Sequence, residues 1–267
     1  MEIDRKKAVK IISDKLGDLD KDSLISQFIS MEDLNVDRFI CWLASVLQDL
    51  QINKDTIDRL KEFKQAPKKD GDSRYEGSKH MFYSTLLELR AEHKFYKSGY
   101  KVVPIKPNSS SGKTTDFIIE KENVTAKVEA SVTDFGDLIL DKNLSQRTIR
   151  KIVERVKEKS KQSTDILFIE NKPFFNYITG NRDAAIALRA ELNPLKLKIL
   201  VVIGADFGIF DTLPESEITQ KKIDSYSGMD GLEFIRHLNE SGTVEFWLVL
   251  HNHSCPLDSE MGKVLDS

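Results

Sequence analysis

The chain has 267 residues, of which 40% are hydrophobic and 31% charged, and its formal net charge at pH 7 is −3. This length suggests one large domain or two small ones, and it is enough to bury a sizeable core. The net charge gives no overall nucleic-acid signature, so any argument for nucleic-acid binding must depend on local patches. Two cysteines, Cys41 and Cys255, are too few for a disulfide framework and indicate a reducing compartment.

Neither the first residues nor the rest of the chain suggests a membrane or a secretory route. Met1 to Lys7 lacks the apolar core of a signal peptide, and the longest apolar run, Ile199 to Ile203, is far too short to span a bilayer. We therefore expect a cytoplasmic protein with no membrane partner.

Residues 1–70 are predicted to form a helical N-terminal region. Ser23 is a candidate cap for a short helix that ends at Ser30, and another helix is predicted from Asn53 to Phe63. Apolar residues at three- and four-residue steps predict an amphipathic helix between these two: Phe39, Ile40, Leu43, Val46, Leu47 and Leu50. A packing role or a protein partner is the expected function of this region.

A polar stretch with Pro67 and Gly71 predicts a linker at 65–72, so that a second region covers residues 71–267. It begins with a helix predicted from about Ser78 to Lys97. The expected buried stripe of this helix is Phe82, Leu86, Leu89, His93 and Tyr96. Glu88 lies on the flank of the stripe, and Glu92 is an alternative for any role of Glu88.

Three short strands are predicted after this helix, at Tyr100 to Ile105, Thr115 to Glu120 and Val124 to Thr133. The turn-forming residues 121–123 join the last two strands into a hairpin. Because side chains alternate along a strand, one face of the last strand is polar. The residues of that face are Lys127, Glu129, Ser131 and Thr133.

Asp116 and Glu129 are the candidate centre of a functional site. A carboxylate within an apolar strand costs several kcal/mol to desolvate unless it is paired or binds a metal. Mg²⁺ or Mn²⁺ is the expected ion, because Mg²⁺ prefers oxygen ligands and needs only one or two carboxylates. The alternative is that Glu129 pairs with Lys127 or with a basic residue of a neighbouring helix.

A basic helix is predicted from about Ser145 to Lys161, and positions 142–161 contain eight basic and two acidic residues. Its N-terminal half is expected to face the site, so that Gln146 and Arg150 contact phosphate or water. Other expected nucleic-acid contacts are Lys113, Lys151 and Lys157. The alternative is a solvated helix face.

The remaining elements complete an α/β pattern of strands and helices. The predicted strands are 165–170, 196–204 and 244–251, and the predicted helices are 181–192 and 231–238. His251 and His253 resemble half of a zinc site, but a frayed strand end is the favoured interpretation.

Taken in order, residues 78–205 resemble the PD-(D/E)xK, or restriction-endonuclease-like, nuclease superfamily. Its pattern is a helix with an acidic residue, a strand, a strand that opens with a metal-binding Asp, a strand with (D/E)-x-K, a helix and a strand. Glu88, Thr115-Asp116-Phe117 and Glu129-Ala130-Ser131 occupy the matching places. The resemblance implies a mixed sheet flanked by helices, and a nuclease that binds Mg²⁺ or Mn²⁺ through Asp116, Glu129 and Glu88.

The chain departs from this pattern at two positions. Thr115 replaces a proline, which is harmless, and Ser131 replaces the catalytic lysine. Lys127 or a basic residue of the following helix is a candidate for the missing amine. The prediction is therefore an endonuclease acting on DNA rather than RNA, with two alternatives. One is an inactive nuclease-fold module that binds nucleic acid or protein, and the other is an unrelated α/β protein with structural carboxylates.

Overall fold

A computed structural model of the chain describes residues 4–62, 73–105, 115–132, 143–170, 182–206, 231–238 and 244–267. Over these ranges the protein is an α/β protein in which a seven-stranded mixed sheet is flanked by helices and preceded by further helices. This is the architecture expected at the level of fold class. The predicted boundary near residue 70 and the predicted contact residue Lys113 lie outside the described residues.

The predicted N-terminal helices are present. They are α1 (Arg5–Leu16), α2 (Leu24–Ser30), α3 (Leu34–Asp49) and α4 (Lys54–Glu62). Ser23 caps α2 as expected, because its side-chain oxygen accepts a hydrogen bond from the backbone N–H of Ser26. The apolar stripe of α3 is buried against α1, α2 and α4 in one hydrophobic cluster.

The next helix, α5 (Ser73–Lys97), is buried on two sides. Phe82, Leu86 and Leu89 pack into the cluster of the N-terminal helices, whereas Leu87 and Phe95 pack against the sheet. The predicted burial of Tyr96 is wrong, since this side chain is 45% exposed. The prediction assumed one buried face for α5, whereas the helix has two, one towards the N-terminal helices and one towards the sheet.

The sheet has the strand order β1-β2-β3-β4-β5-β7-β6. Its strands are β1 (Lys101–Pro104), β2 (Phe117–Lys121), β3 (Val124–Val132), β4 (Ile166–Glu170), β5 (Leu200–Asp206), β6 (Leu232–Leu238) and β7 (Val244–Leu250). β3, β4 and β5 run parallel, and the other neighbours are antiparallel. The predicted hairpin is confirmed by the pairing of Lys121 with Val124, with Glu122 in the left-handed region at φ 52°.

Helices cover both faces of the sheet, as parallel strands require. Further helices are α6 (Asn143–Ser160), α7 (Arg182–Leu192) and α8 (Met261–Leu265). α6 and α7 pack on one face, which includes Leu167 of β4. α5 and α8 pack on the other face, which includes Phe168.

The predicted helix at 231–238 is wrong, because these residues form strand β6. This strand pairs with β7 along its whole length, from Leu232 with Leu250 to Leu238 with Val244. Leu232 and Phe234 contact the α6 and α7 side, and Ile235 contacts the opposite side. Such spacing fits a helical stripe as well as a strand, and the choice is made by pairing with a later segment of the chain.

Candidate active site

The β2–β3 hairpin brings Asp116 beside Glu129. The backbone N–H of Asp116 donates to the carbonyl of Val128 at 3.1 Å, which continues the β2–β3 register by one residue. Asp116 Oδ2 then accepts a hydrogen bond of 2.7 Å from the backbone N–H of Ala130. The hairpin therefore holds the carboxylate of Asp116 next to Ala130, the residue that follows Glu129 on β3.

Glu129 projects towards α6 and pairs there with Lys159. Both side chains are buried, with Glu129 5% and Lys159 4% exposed, and the ammonium of Lys159 donates to Glu129 Oε1. The second oxygen, Oε2, is buried and accepts no hydrogen bond within the described part of the chain. One oxygen of Glu129 therefore faces a cation, and the other accepts no hydrogen bond from the described residues.

Ser131, at the position of the missing lysine, contacts a second basic residue of α6. Arg155 Nε donates to Ser131 Oγ at 2.7 Å, and Arg155 Nη1 donates to Glu158 at 2.9 Å. The contacts to the polar face of β3 thus come from the C-terminal half of α6. Gln146 and Arg150, in the half that the sequence analysis favoured, are exposed.

Glu88 of α5 is held by Arg59 of α4. The two guanidinium nitrogens Nη1 and Nη2 donate to Oε1 and Oε2 of Glu88, each at 2.9 Å. Such a two-point pair between a guanidinium and a carboxylate is strong and geometrically specific. Glu88 is therefore an ion-paired carboxylate on the flank of α5.

The acidic side chains influence one another electrostatically. Burial raises the pKa of Asp116 to about 8, with further contributions from the charges of Glu88 and Glu129. Burial also raises the pKa of Glu129, although Lys159 opposes this shift. The pKa of Glu92, one turn after Glu88, rises to about 8 through burial and the charge of Glu88. Bringing a cation near these carboxylates would lower the cost of ionising them.

The predicted ligands are neighbours, but they are not arranged as a finished metal centre. Within the ranges that the structure describes, no three or more His, Cys, Asp or Glu side chains are placed to hold a metal ion. Two of the predicted ligands face basic side chains instead: Arg59 engages both oxygens of Glu88, and Lys159 engages one oxygen of Glu129. The buried and unpartnered Glu129 Oε2 is nevertheless an atom that a hard cation would satisfy.

The other predicted site residues lie around this centre. Lys127 is exposed, and it is Lys159 that pairs with Glu129. Lys157 is exposed and Lys151 is half-buried on α6. His251 does not continue β7; its ring nitrogens face Glu233 and Asp258 at 3.1 and 3.2 Å.

Sequence reasoning did not single out Arg59, Arg155 or Lys159. Lys159 carries a signal, because it lies three residues after Val156 and continues the buried stripe of α6. A lysine at a core position of a helix needs a buried anion. Arg59 carries no comparable signal, since its partner lies 29 residues away on another helix.

The chain matches no protein-family model, no curated protein and no solved structure in comparisons with known proteins. Among the described residues, no helix combines the length and the apolar character that crossing a bilayer requires.

Proposed function

We propose that the protein is a metal-dependent nuclease that hydrolyses phosphodiester bonds in nucleic acid, with DNA as the first substrate. The observation that carries this proposal is the pairing of Lys159 with Glu129 beside Asp116. The carboxylate of Glu129 on β3 is paired with the ammonium of Lys159, and Asp116, just before β2, is bonded to the next residue of β3. Glu129 Oε2 accepts no hydrogen bond within the described residues. These are the residue types that a PD-(D/E)xK site combines.

The order of elements supports the proposal. The succession α5, β1, β2, β3, α6, β4 has the helix, three strands, helix and strand of the superfamily pattern. Glu88 lies on its first helix, Asp116 immediately before its second strand, and Glu129 on its third strand. This order of elements supports the proposal together with the short motifs.

Asp116 and Glu129 would hold Mg²⁺ or Mn²⁺, with Glu88 assisting directly or through water. The bound ion would polarise a phosphoryl oxygen and lower the pKa of a water molecule. The residues fit this ion because Mg²⁺ usually keeps several water ligands and needs only one or two carboxylates from the protein. Ionisation of Asp116, whose pKa is raised to about 8, is favoured by any cation placed near it.

Lys159 takes the place of the lysine that the sequence lacks at position 131. Its ammonium lies against Glu129 Oε1, where it favours the ionised carboxylate and offers positive charge to an attacking water and to the phosphoryl oxygens. Arg155 adds a guanidinium held by the hydroxyl of Ser131. Lys127, on the same face of β3, remains a second candidate for the amine.

The exposed face of α6 is the proposed contact with the nucleic-acid backbone. Gln146, Arg150 and Lys157 are exposed, and Lys151 is half-buried, so their side chains are accessible to phosphates. Their helix also carries Arg155 and Lys159, which links the backbone contact to the acidic centre.

A second function, binding of nucleic acid or protein without cleavage, is favoured by a specific observation. Glu88 and Glu129 each already have a cationic partner, and a serine occupies the position of the family lysine. Carboxylates neutralised in this way can serve a purely structural role.

A cleavage assay separates the two functions. Plasmid, linear and single-stranded DNA and RNA are incubated with Mg²⁺ or Mn²⁺ and with the wild type, Glu129→Gln, Asp116→Asn or Lys159→Met. The nuclease proposal expects cleavage that needs the ion and falls by at least about 100-fold in each variant. Lys161→Met, which removes an exposed lysine just beyond α6, is the matched control. Binding without cleavage that Glu129→Gln leaves unchanged would support the second function instead.

A further inference from the structure

Arg59 belongs to the N-terminal helices, outside the region that resembles the nuclease superfamily, and yet it contacts the acidic site. Its side chain is 21% exposed and that of Glu88 is 13% exposed, so the pair is largely withdrawn from water. Both oxygens of Glu88 accept hydrogen bonds from the guanidinium group. Each hydrogen bond occupies one lone pair of a Glu88 oxygen, and the adjacent guanidinium charge weakens the attraction of this carboxylate for a metal ion.

The guanidinium group of Arg59 is itself fixed in place. Nε lies 3.3 Å from Asp55 Oδ2, and Nη2 lies 3.4 Å from Thr56 Oγ1, both on the preceding turn of α4. α4 is in turn joined to α1 by Lys61, whose ammonium donates to the carbonyl of Leu16 at 2.9 Å. The position of the Arg59 charge is thus set by the packed N-terminal helices.

Asp116 differs from Glu88 in the groups that its carboxylate contacts. Within the described residues, its side chain accepts a hydrogen bond from a backbone N–H and makes no ion pair with a lysine or arginine. Glu129 keeps one oxygen without a hydrogen bond. Of the predicted ligands, Asp116 and Glu129 therefore retain more capacity for a cation than Glu88, both of whose oxygens accept hydrogen bonds from Arg59.

We propose that Arg59 is a positioning residue that holds Glu88 out of the ligand set, so that the ion is bound by Asp116 and Glu129 as a two-carboxylate centre. This inference depends on the proposed function and narrows its ligand set. It also gives the N-terminal helices a part in the site, because they supply the residue that sets its local charge.

The test measures Mn²⁺ affinity by calorimetry, with circular dichroism as a check of folding. Arg59→Gln frees Glu88 and removes a positive charge, so we expect Mn²⁺ to bind about tenfold more tightly. The double variant Arg59→Gln/Glu88→Gln keeps the summed charge of the pair at zero and removes the carboxylate. Its Mn²⁺ affinity should stay within about twofold of the wild type, because Glu88 is not a ligand.

Two further variants sharpen this test. Arg59→Lys keeps the charge but cannot pair with both oxygens of Glu88, so its Mn²⁺ affinity should lie between those of the wild type and Arg59→Gln. Lys54→Gln removes an exposed positive charge from the same helix and should change the affinity by less than about twofold. If Arg59→Gln does not fold, the charge-neutral double variant still decides the question.

The outcomes separate this inference from the proposed function. A double variant that binds Mn²⁺ at least about tenfold more weakly than the wild type would make Glu88 a ligand and overturn the inference alone. Unchanged affinity in Arg59→Gln would overturn it as well. A wild type that binds no Mn²⁺, or binds it equally well after Glu129→Gln, would refute the metal site of the proposed function and this inference with it.

Discussion

The contribution of the Lys159–Glu129 ion pair to the free energy of unfolding can be measured with single substitutions. Replacing Lys159 with methionine removes the cation that donates a hydrogen bond to the buried Glu129 carboxylate, which should lower the free energy of unfolding by about 3–5 kcal/mol. Urea unfolding at pH 7 in the presence of EDTA measures this change.

The neighbouring Lys157 supplies the control, because it is exposed and Lys157→Met should cost less than about 0.5 kcal/mol. Adding Glu129→Gln to Lys159→Met removes the uncompensated charge and should recover part of the loss. Equal stability of the two lysine variants would show that the buried pair contributes little.

The raised pKa values of Asp116 and Glu92 make stability depend on pH. Both rise to about 8 from ordinary values of 3.8 and 4.5, so the folded protein binds more protons than the unfolded chain at pH values between these limits. The contribution to stability is complete below about pH 4 and is lost as the pH rises towards 8 and above. We therefore expect the metal-free Tm to fall between pH 5 and pH 8.5 from these two groups.

The variants Asp116→Asn and Glu92→Gln test this expectation, since each removes one of the two titrating groups. Each should flatten the fall of Tm with pH, and the change should be seen in thermal unfolding followed by circular dichroism. Variants that keep the wild-type slope would assign the pH dependence to other residues.

Local sequence predicted part of this site and left the rest open for a physical reason. Asp116 and Glu129 lie at matching positions of a hairpin whose strands are short and whose turn has two residues. Their proximity therefore follows from the strand register that the local sequence sets. The partners of Glu88 and Glu129, in contrast, come from helices 29 and 30 residues away along the chain. Which basic residue reaches them is decided by helix packing, which no local pattern contains.

At the scale of the elements, Gly204 marks the contact between β5 and β7. Gly204 pairs with Trp247, and a Cβ added at position 204 would overlap the six-membered ring of this tryptophan. Alanine is ordinarily preferred to glycine within a strand. Here we expect Gly204→Ala to destabilise the protein by about 1–3 kcal/mol, because the ring is fully buried and cannot move aside.

A double-mutant cycle in urea unfolding measures the free-energy cost of this overlap between the added methyl group and Trp247. With Trp247→Leu the ring is absent, so the added methyl group of Gly204→Ala should cost less there than in the wild type. An equal cost in both backgrounds would mean that the strand backbone, and not the tryptophan, requires glycine.

Elements with strong local signals were predicted well, and the errors fall on segments whose structure depends on distant partners. The cap at Ser23 and the turn after Lys121 are local, and both are present. Strand β6 and the second buried face of α5 depend on β7 and on the N-terminal helices. For such segments the same apolar spacing fits more than one structure until the partner is known.

At the scale of the whole molecule, α5 joins the N-terminal helices to the sheet. Arg90 of α5 lies 5.9 Å from the ring of Trp42 in α3 and 5.9 Å from the ring of Trp247 in β7. It also approaches Glu170 and Glu245 at 3.7 and 3.6 Å, within a buried cluster of charges. Contacts of this kind couple the two parts that the sequence analysis divided near residue 70.

The two tryptophans of the chain allow this coupling to be tested, because each reports one part of the molecule. In Trp247→Phe the fluorescence comes from Trp42 among the N-terminal helices, and in Trp42→Phe it comes from Trp247 in the sheet. Helix α5 contributes Phe82 to the core of the N-terminal helices and Phe95 to the core beside the sheet. We therefore expect the whole protein to unfold cooperatively. Within each variant, the urea midpoints from fluorescence and from circular dichroism should then coincide. A Trp42 signal that is lost at lower urea than the helical signal would instead show that the N-terminal helices unfold as a separate unit.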